Sequence, residues 1–219
     1  MRVRKEFTRS EGFRSARLVV IAAEGRNTES IYFGAVRARL KAAGVHVEIL
    51  RRDDGNSSPA SVFAQLQGFM QEYNIRDDDQ LWVVVDRDRW TQSMLASVAR
   101  HCQQNANLRF CLSNPCFELW LLLHLEDVAA YSEEEKARLA ANRKNSKYGS
   151  TWLKQRMRDL LGSYQEANYD AFALLPGIDD AIGRSRTLDT NPRDRWPQTI
   201  GTRVHLLVES IMDRKEGKT

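Results

Sequence analysis

Two kinds of hydrophobic run alternate through the first half of the chain. Leu18 to Ala23 (LVVIAA) is apolar throughout, as a strand covered on both faces must be; Ile31, Tyr32, Val36 and Leu40 then recur at helical spacing. Val45 to Leu50 alternates apolar and polar positions, the period of a half-buried strand. After a polar loop over 51–58, a helix is predicted over 59–74, opening on Pro59, whose fixed φ suits a first turn. Beyond the acidic turn Asp77-Asp78-Asp79 come a strand over 81–86 (LWVVVD), a helix over 91–104 and a strand over 107–112 (NLRFCL). This βαβαβαβ order predicts an α/β fold, a doubly wound and mostly parallel sheet of about four strands with right-handed crossovers. From Pro115 onward the signal turns helical, over 115–125, 132–143, 150–162, 165–173, 177–188 and 199–214. No internal repeat or low-complexity linker interrupts it. The expected organisation is a flexible basic arm (1–16), an α/β core (17–130) and a helical extension packed on that core (131–219).

The chemistry sits where the apolar strands end. Asp86 and Asp88 follow Leu81 to Val85, and in an extended chain residues two apart point the same way. A strand ending in a solvated, charged loop is the plainer reading of a lone Asp-x-Asp. A second strand of the same kind changes the balance, because Glu24 and Glu29 follow Leu18 to Ala23. If both strands share one parallel sheet, their carboxyl ends lie on one edge, where open α/β sheets bind ligands. Converging carboxylates repel one another without a cation, and hard oxygen donors point to Mg²⁺ or Mn²⁺. Gly25 permits the tight turn, and Asn27 or Thr28 can cap the helix that follows. The alternative for Glu24 and Glu29 is that they complement a helix N-terminus.

Directly after the fourth strand comes Ser113-Asn114-Pro115-Cys116-Phe117-Glu118. Ser113 or Asn114 can cap a helix with Pro115 in its first turn, and Asn114 can meet a phosphate oxygen. Glu118, among Phe117, Leu119, Trp120 and Leu121, is costly to bury alone and is a further metal-ligand candidate. Lys144 and Lys147 lie in a polar loop between two predicted helices, where either can hold a nucleic-acid backbone; Lys147 is the preferred cation for charge on an attacked phosphate. A solvated basic loop is the plain alternative for both.

Three stretches, EGRNTESIYF (Glu24 to Phe33), VVVDRDRW (Val83 to Trp90) and SNPCFELWLLLH (Ser113 to His124), resemble the RloB family of phage-defence proteins. A weaker likeness is Trp196-Pro197-Gln198-Thr199 followed by Val204 to Val208. Glu24 with Asp86-x-Asp88 is also similar to the Toprim domain of topoisomerases, primases and OLD-type nucleases. The resemblance implies a Toprim-like nuclease often encoded beside an ATPase and active in anti-phage defence. Nothing in the sequence beyond that likeness supports topoisomerase or primase activity.

The composition bears mainly on partners. Residues 1–135 carry 17 Lys+Arg against 19 Asp+Glu, and residues 136–219 carry 16 against 10, so the positive excess lies in the C-terminal part. A basic surface beside an acidic crevice suits a phosphodiester enzyme. No apolar run approaches the ~20 residues of a membrane span, and three cysteines without paired spacing give neither a disulfide framework nor a zinc site, which points to the cytoplasm. The chain has no GxxxxGK[ST] loop, so ATP-driven control would come from a partner. The expected function is Mg²⁺- or Mn²⁺-dependent hydrolysis of DNA or RNA, with Glu24, Asp86 and Asp88 as metal ligands and Glu29 and Glu118 assisting. The alternative is a catalytically silent Toprim-like module that binds nucleic acid or nucleotide and signals to a partner protein.

Overall fold

A computed structural model of the chain describes residues 4–8, 16–40, 44–51, 56–145 and 149–212. The parallel core contains β1 (Arg17–Ala23), α1 (Thr28–Leu40), β2 (Val45–Ile49), α2 (Pro59–Glu72), β3 (Gln80–Asp86), α3 (Gln92–Gln103) and β4 (Leu108–Asn114). There follow α4 (Glu118–Leu123), α5 (Glu133–Ala141), β5 (Lys144–Asn145), β6 (Ser150–Thr151), α6 (Trp152–Leu161), α7 (Ile178–Leu188), β7 (Gly201–Thr202) and α8 (Val204–Ile211). One sheet has the order β2-β1-β3-β4-β7, parallel except for β7. The architecture is α/β and consistent with a Toprim-like doubly wound fold.

Both faces of the sheet are covered, which is why its strands are continuously apolar. Val19, Ile21, Trp82, Val84 and Cys111 pack with α1, α4 and the later helices; Leu18, Val20, Leu81, Val83 and Leu112 pack with α2 and α3 on the other side. Helix α1, which follows β1, and helix α3, which follows β3, therefore lie on opposite faces. Because β1 and β3 are hydrogen-bonded neighbours, their carboxyl ends flank a topological switch point.

The first face is completed from far along the chain. Tyr32 of α1 meets Trp120 and His124 edge to face, and its hydroxyl bonds His124 Nε2 at 3.0 Å. Leu153 and Met157 of α6, Ala181 of α7 and Leu207 of α8 join the same cluster. On the other face α2 starts where expected, with the Ser58 hydroxyl accepting from Ser61 N–H at 3.2 Å. Of the segment expected as a flexible arm, residues 4–8 are docked: Lys5 N–H donates to Glu72 O at 2.7 Å, and Phe7 packs against Phe69 and Tyr73. No helix among the described residues is long and apolar enough to cross a membrane.

The structure corrects the sequence-based elements in four places. A fifth strand, β7, replaces the start of the helix expected over 199–214; its pairing with Ser113 and Asn114 satisfies backbone groups at the end of β4. The helix expected from 115 starts at Glu118 instead, with Phe117 at its N-cap position and no cap from Ser113 or Asn114. No helix forms over 165–173: Asp170 Oδ1 accepts from Phe172 and Ala173 N–H and turns the chain into a single 3₁₀ turn, Ala171–Ala173. The polar loop after α5 is partly a hairpin, with Lys144 opposite Thr151 and Asn145 opposite Ser150.

Trp120 is fully buried at the junction of α1 and α4. Trp120→Ala is expected to lower stability by about 3–5 kcal/mol, measurable as a reduced midpoint in chemical denaturation.

Candidate functional site

At the switch point the two strand ends are joined through a side chain. Glu24 N–H continues the ladder to Val84 O at 2.9 Å, and Glu24 Oε2 accepts from Asp86 N–H at 3.1 Å and from Trp90 Nε1–H at 2.8 Å. Arg87 N–H donates to Ser113 O at 2.9 Å and Asp88 N–H to Pro115 O at 3.1 Å, so the β3 exit is held against the β4 exit. Continued alternation puts Asp86 on the face that carries α1 and α4.

The turn after β1 brings Glu29 back over the strand end. Its Oε1 accepts from Gly25 N–H at 2.9 Å. A Cβ on residue 25 would stand 1.9 Å from Glu29 Oε2, so any other residue there requires this carboxylate to move. Glu118 enters from the start of α4, buried, with Oε1 at 3.4 Å from the Tyr164 hydroxyl and 3.9 Å from Lys154 Nζ. Glu24, Glu29, Asp86, Asp88 and Glu118 thus line one crevice of about 140 Å³, together with Arg89, Cys116, Asn142, Thr151, Lys154 and Glu166.

Crowding and burial perturb this group. Desolvation raises the Asp86 carboxyl well above its usual range, and Glu29, Glu24, Glu118 and Asp88 push it further. Glu29 is raised to about 7, chiefly by burial and then by Glu118 and Glu24, against the opposing hydrogen bond from Gly25. Burial also raises Glu24, despite its bonds from Trp90 and Asp86, and Asp88, despite Arg89 and Lys154. The Cys116 thiol is pushed up by burial and by Glu118 and Asp86. It stays protonated beside them, leaving oxygen donors only, the set that suits Mg²⁺ or Mn²⁺. By donor chemistry the residues fit such an ion. Among the described residues no group of three or more His, Cys, Asp or Glu side chains is posed to hold one as it stands.

The lysine in the crevice is Lys154, which the sequence reading did not single out. Its ammonium lies 2.5 Å from Glu166 Oε1 and 3.9 Å from Glu118 Oε1. Its pKa is raised, because the pull of Glu166 and Glu118 outweighs its burial. Asn142 explains how α6 delivers it. At φ 38°, this buried residue ends α5, donates to Cys116 Sγ at 3.4 Å and accepts from Leu153 N–H at 3.1 Å, tying the entry of α6 to that of α4. No local pattern signals this link, because it depends on the β5–β6 register.

The remaining candidates lie elsewhere. Lys144 is exposed on β5 and does not line the crevice, and Lys147 is outside the described residues. Asn114 is not in the crevice either: its side-chain amide donates to Pro197 O at 3.3 Å, an architectural bond that fixes the segment leading to β7.

Compared with protein families, residues 19–211 match RloB-like protein. The chain belongs to the RloB-like family. No curated protein and no solved structure matches it. The matched span runs from β1 to the end of α8, so in this RloB-like chain it takes in both the carboxylates of the parallel core and Lys154 of the later helices.

Without metal, the folded chain retains a proton on Glu29 that the unfolded chain releases between pH 4.5 and about 7. Stability is therefore expected to fall as pH rises through that window, and the Asp86 carboxyl, raised as well, contributes to the same fall. Thermal melts in EDTA should show this slope, reduced in Asp86→Asn, and Mg²⁺ should raise the melting temperature more at pH 8 than at pH 5. Gly25→Ala displaces the Glu29 carboxylate and is expected to weaken that Mg²⁺-induced rise, as read in the same melts.

Proposed function

We propose that this RloB-like chain is a metal-dependent phosphodiester hydrolase acting on DNA or RNA. The observation that carries the reading is the convergence, among the described residues, of six carboxylates (Glu24, Glu29, Asp86, Asp88, Glu118 and Glu166) and Lys154 in a single crevice at the switch point between β1 and β3. Glu24, Asp86 and Asp88, with Glu29 and Glu118, would hold Mg²⁺ or Mn²⁺, which when bound supplies Lewis-acid stabilisation of charge on the attacked phosphate. Trp90 and the Asp86 N–H orient Glu24. Gly25 orients Glu29. Lys154, held between Glu166 and Glu118, takes the part that the sequence reading gave to Lys147: its ammonium binds a non-bridging phosphate oxygen and offsets charge there. Action in anti-phage defence with an ATPase partner belongs to the same proposal and rests on the resemblance of the three sequence stretches to RloB proteins, while a cytoplasmic setting rests on the three cysteines without paired spacing.

One observation favours a second reading. Glu24, Glu29 and Glu118 all spend oxygens on internal partners, as a module that binds nucleic acid or nucleotide without cleaving it also could. Labelled single- and double-stranded DNA and RNA, incubated with the purified chain and Mg²⁺ or Mn²⁺, distinguish the two. Cleavage is expected, abolished by EDTA and by Asp86→Asn. Lys154→Ala should lower turnover at saturating substrate by about 10²–10³-fold, the scale of losing one preorganised group that stabilises transition-state charge. Binding without cleavage under every metal condition would establish the silent module instead.

A further inference from the structure

Beside the exit of β4 an irregular segment, residues 189–197 (DTNPRDRWP), is held by side-chain bonds at both of its ends. Its clamp is Arg203, buried one residue before α8. Arg203 Nε and Nη2 grip the Asp189 carboxylate at 2.8 and 3.2 Å. The other guanidinium hydrogens reach the carbonyls of Asp194 at 2.8 Å, Asn191 at 3.3 Å and Pro192 at 3.4 Å. Arg203 N–H donates to Leu112 O at 3.1 Å, so the clamp is fixed to the sheet itself. At the far end of the segment Trp196 is buried against Phe110, and Pro197 O accepts from Asn114. A bidentate Arg–carboxylate pair that also satisfies three carbonyls fixes backbone shape firmly.

What this scaffold displays is a net positive charge, Arg193 and Arg195 against Asp194. Arg193 and Arg195 are exposed, Arg195 with its guanidinium 5.7 Å from the Trp196 ring centroid. Asp189, the acid at the start of the segment, is neutralised by Arg203. Across the β4 exit stands the β3 exit turn, where Arg87 is anchored to Trp90 O at 2.7 Å and exposed Arg89 lines the carboxylate crevice. From this turn Arg87 and Asp88 N–H donate to Ser113 O and Pro115 O, and the Asn114 side chain between them donates to Pro197 O on the other side. The two arginine-bearing segments therefore flank one strand end.

We propose that the clamped segment 189–197 is a docking surface for the phosphodiester backbone of a nucleic acid, with Arg193 and Arg195 as phosphate contacts that lead the strand past Arg89 to the crevice. The proposal rests on the phosphodiesterase reading of that crevice and deepens it. A fixed backbone suits phosphate binding because the segment has less freedom to lose on docking than a mobile loop has.

The test is binding of fluorescent DNA and RNA oligonucleotides by the full chain in an Asp86→Asn background with Mg²⁺, across a salt series. Removing two phosphate contacts with Arg193→Ala/Arg195→Ala is expected to reduce the log–log salt slope by about 1.4–1.8 and to weaken binding about 20- to 60-fold at 0.1 M salt. Arg193→Lys/Arg195→Lys, which keeps both charges, should retain the slope. A control with equal loss of charge is Arg39→Ala/Arg100→Ala, exposed at the ends of α1 and α3 that face the opposite sheet edge; it should leave the slope unchanged. An unchanged slope in the Arg193/Arg195 variant, or an equal fall in the control, would overturn this docking surface while leaving the hydrolase reading in place. Failure of the parent chain to bind any oligonucleotide would overturn both. All four arginines are exposed, so melting temperatures should stay level and loss of fold is separable from loss of contact.

Discussion

Desolvation of negative charge is the constraint from which the carboxyl edge takes its form. Pairing β1 directly with β3 forces Glu24 and Asp86 together, and the entry of α4 adds Glu118 from the side. Such a group cannot all be ionised and buried without compensation. The chain meets this with local donors, from Trp90 and the Asp86 backbone to Glu24 and from Gly25 to Glu29, and with one ammonium, Lys154. What is left uncompensated is expressed as raised carboxyl pKa values, most of all at Asp86. The proposed Mg²⁺ or Mn²⁺ would offset that unbalanced charge.

The parallel core was legible because its signals are local and periodic. Strands buried on both faces read as unbroken apolar runs, and the residues that end them, Glu24 and Asp86, announce themselves by interrupting those runs. Their meeting followed from one topological assumption, that both strands point the same way in one sheet. Beyond Pro115 the chain was harder to read. A two-residue strand such as β7 carries no periodicity, and its place is set by the free backbone groups of Ser113 and Asn114. The single turn at Ala171–Ala173 looked helical in composition, but the Asp170 side chain competes for its first amides.

Lys154 was missed for a related reason. Its neighbours Leu153 and Met157 mark a buried helix face, yet nothing nearby says what that face meets. Two lysines in a polar loop drew attention instead, as charges in polar loops do. The decisive residue is Asn142, whose left-handed backbone and two-sided amide link α4 to α6 through partners 26 and 11 residues away in sequence. Sequence patterns report on neighbours along the chain, and a side-chain weld of this kind has none.

That weld also limits how the fold can be divided. The face of the sheet lined by Tyr32, Phe117 and Trp120 is closed by α6, α7 and α8, so a fragment ending near residue 130 would expose a broad apolar face and leave the crevice without its lysine. Carboxylates and counter-charge are therefore inherited together or not at all. The helices after β4 thus belong to the same cooperative unit as the site they complete.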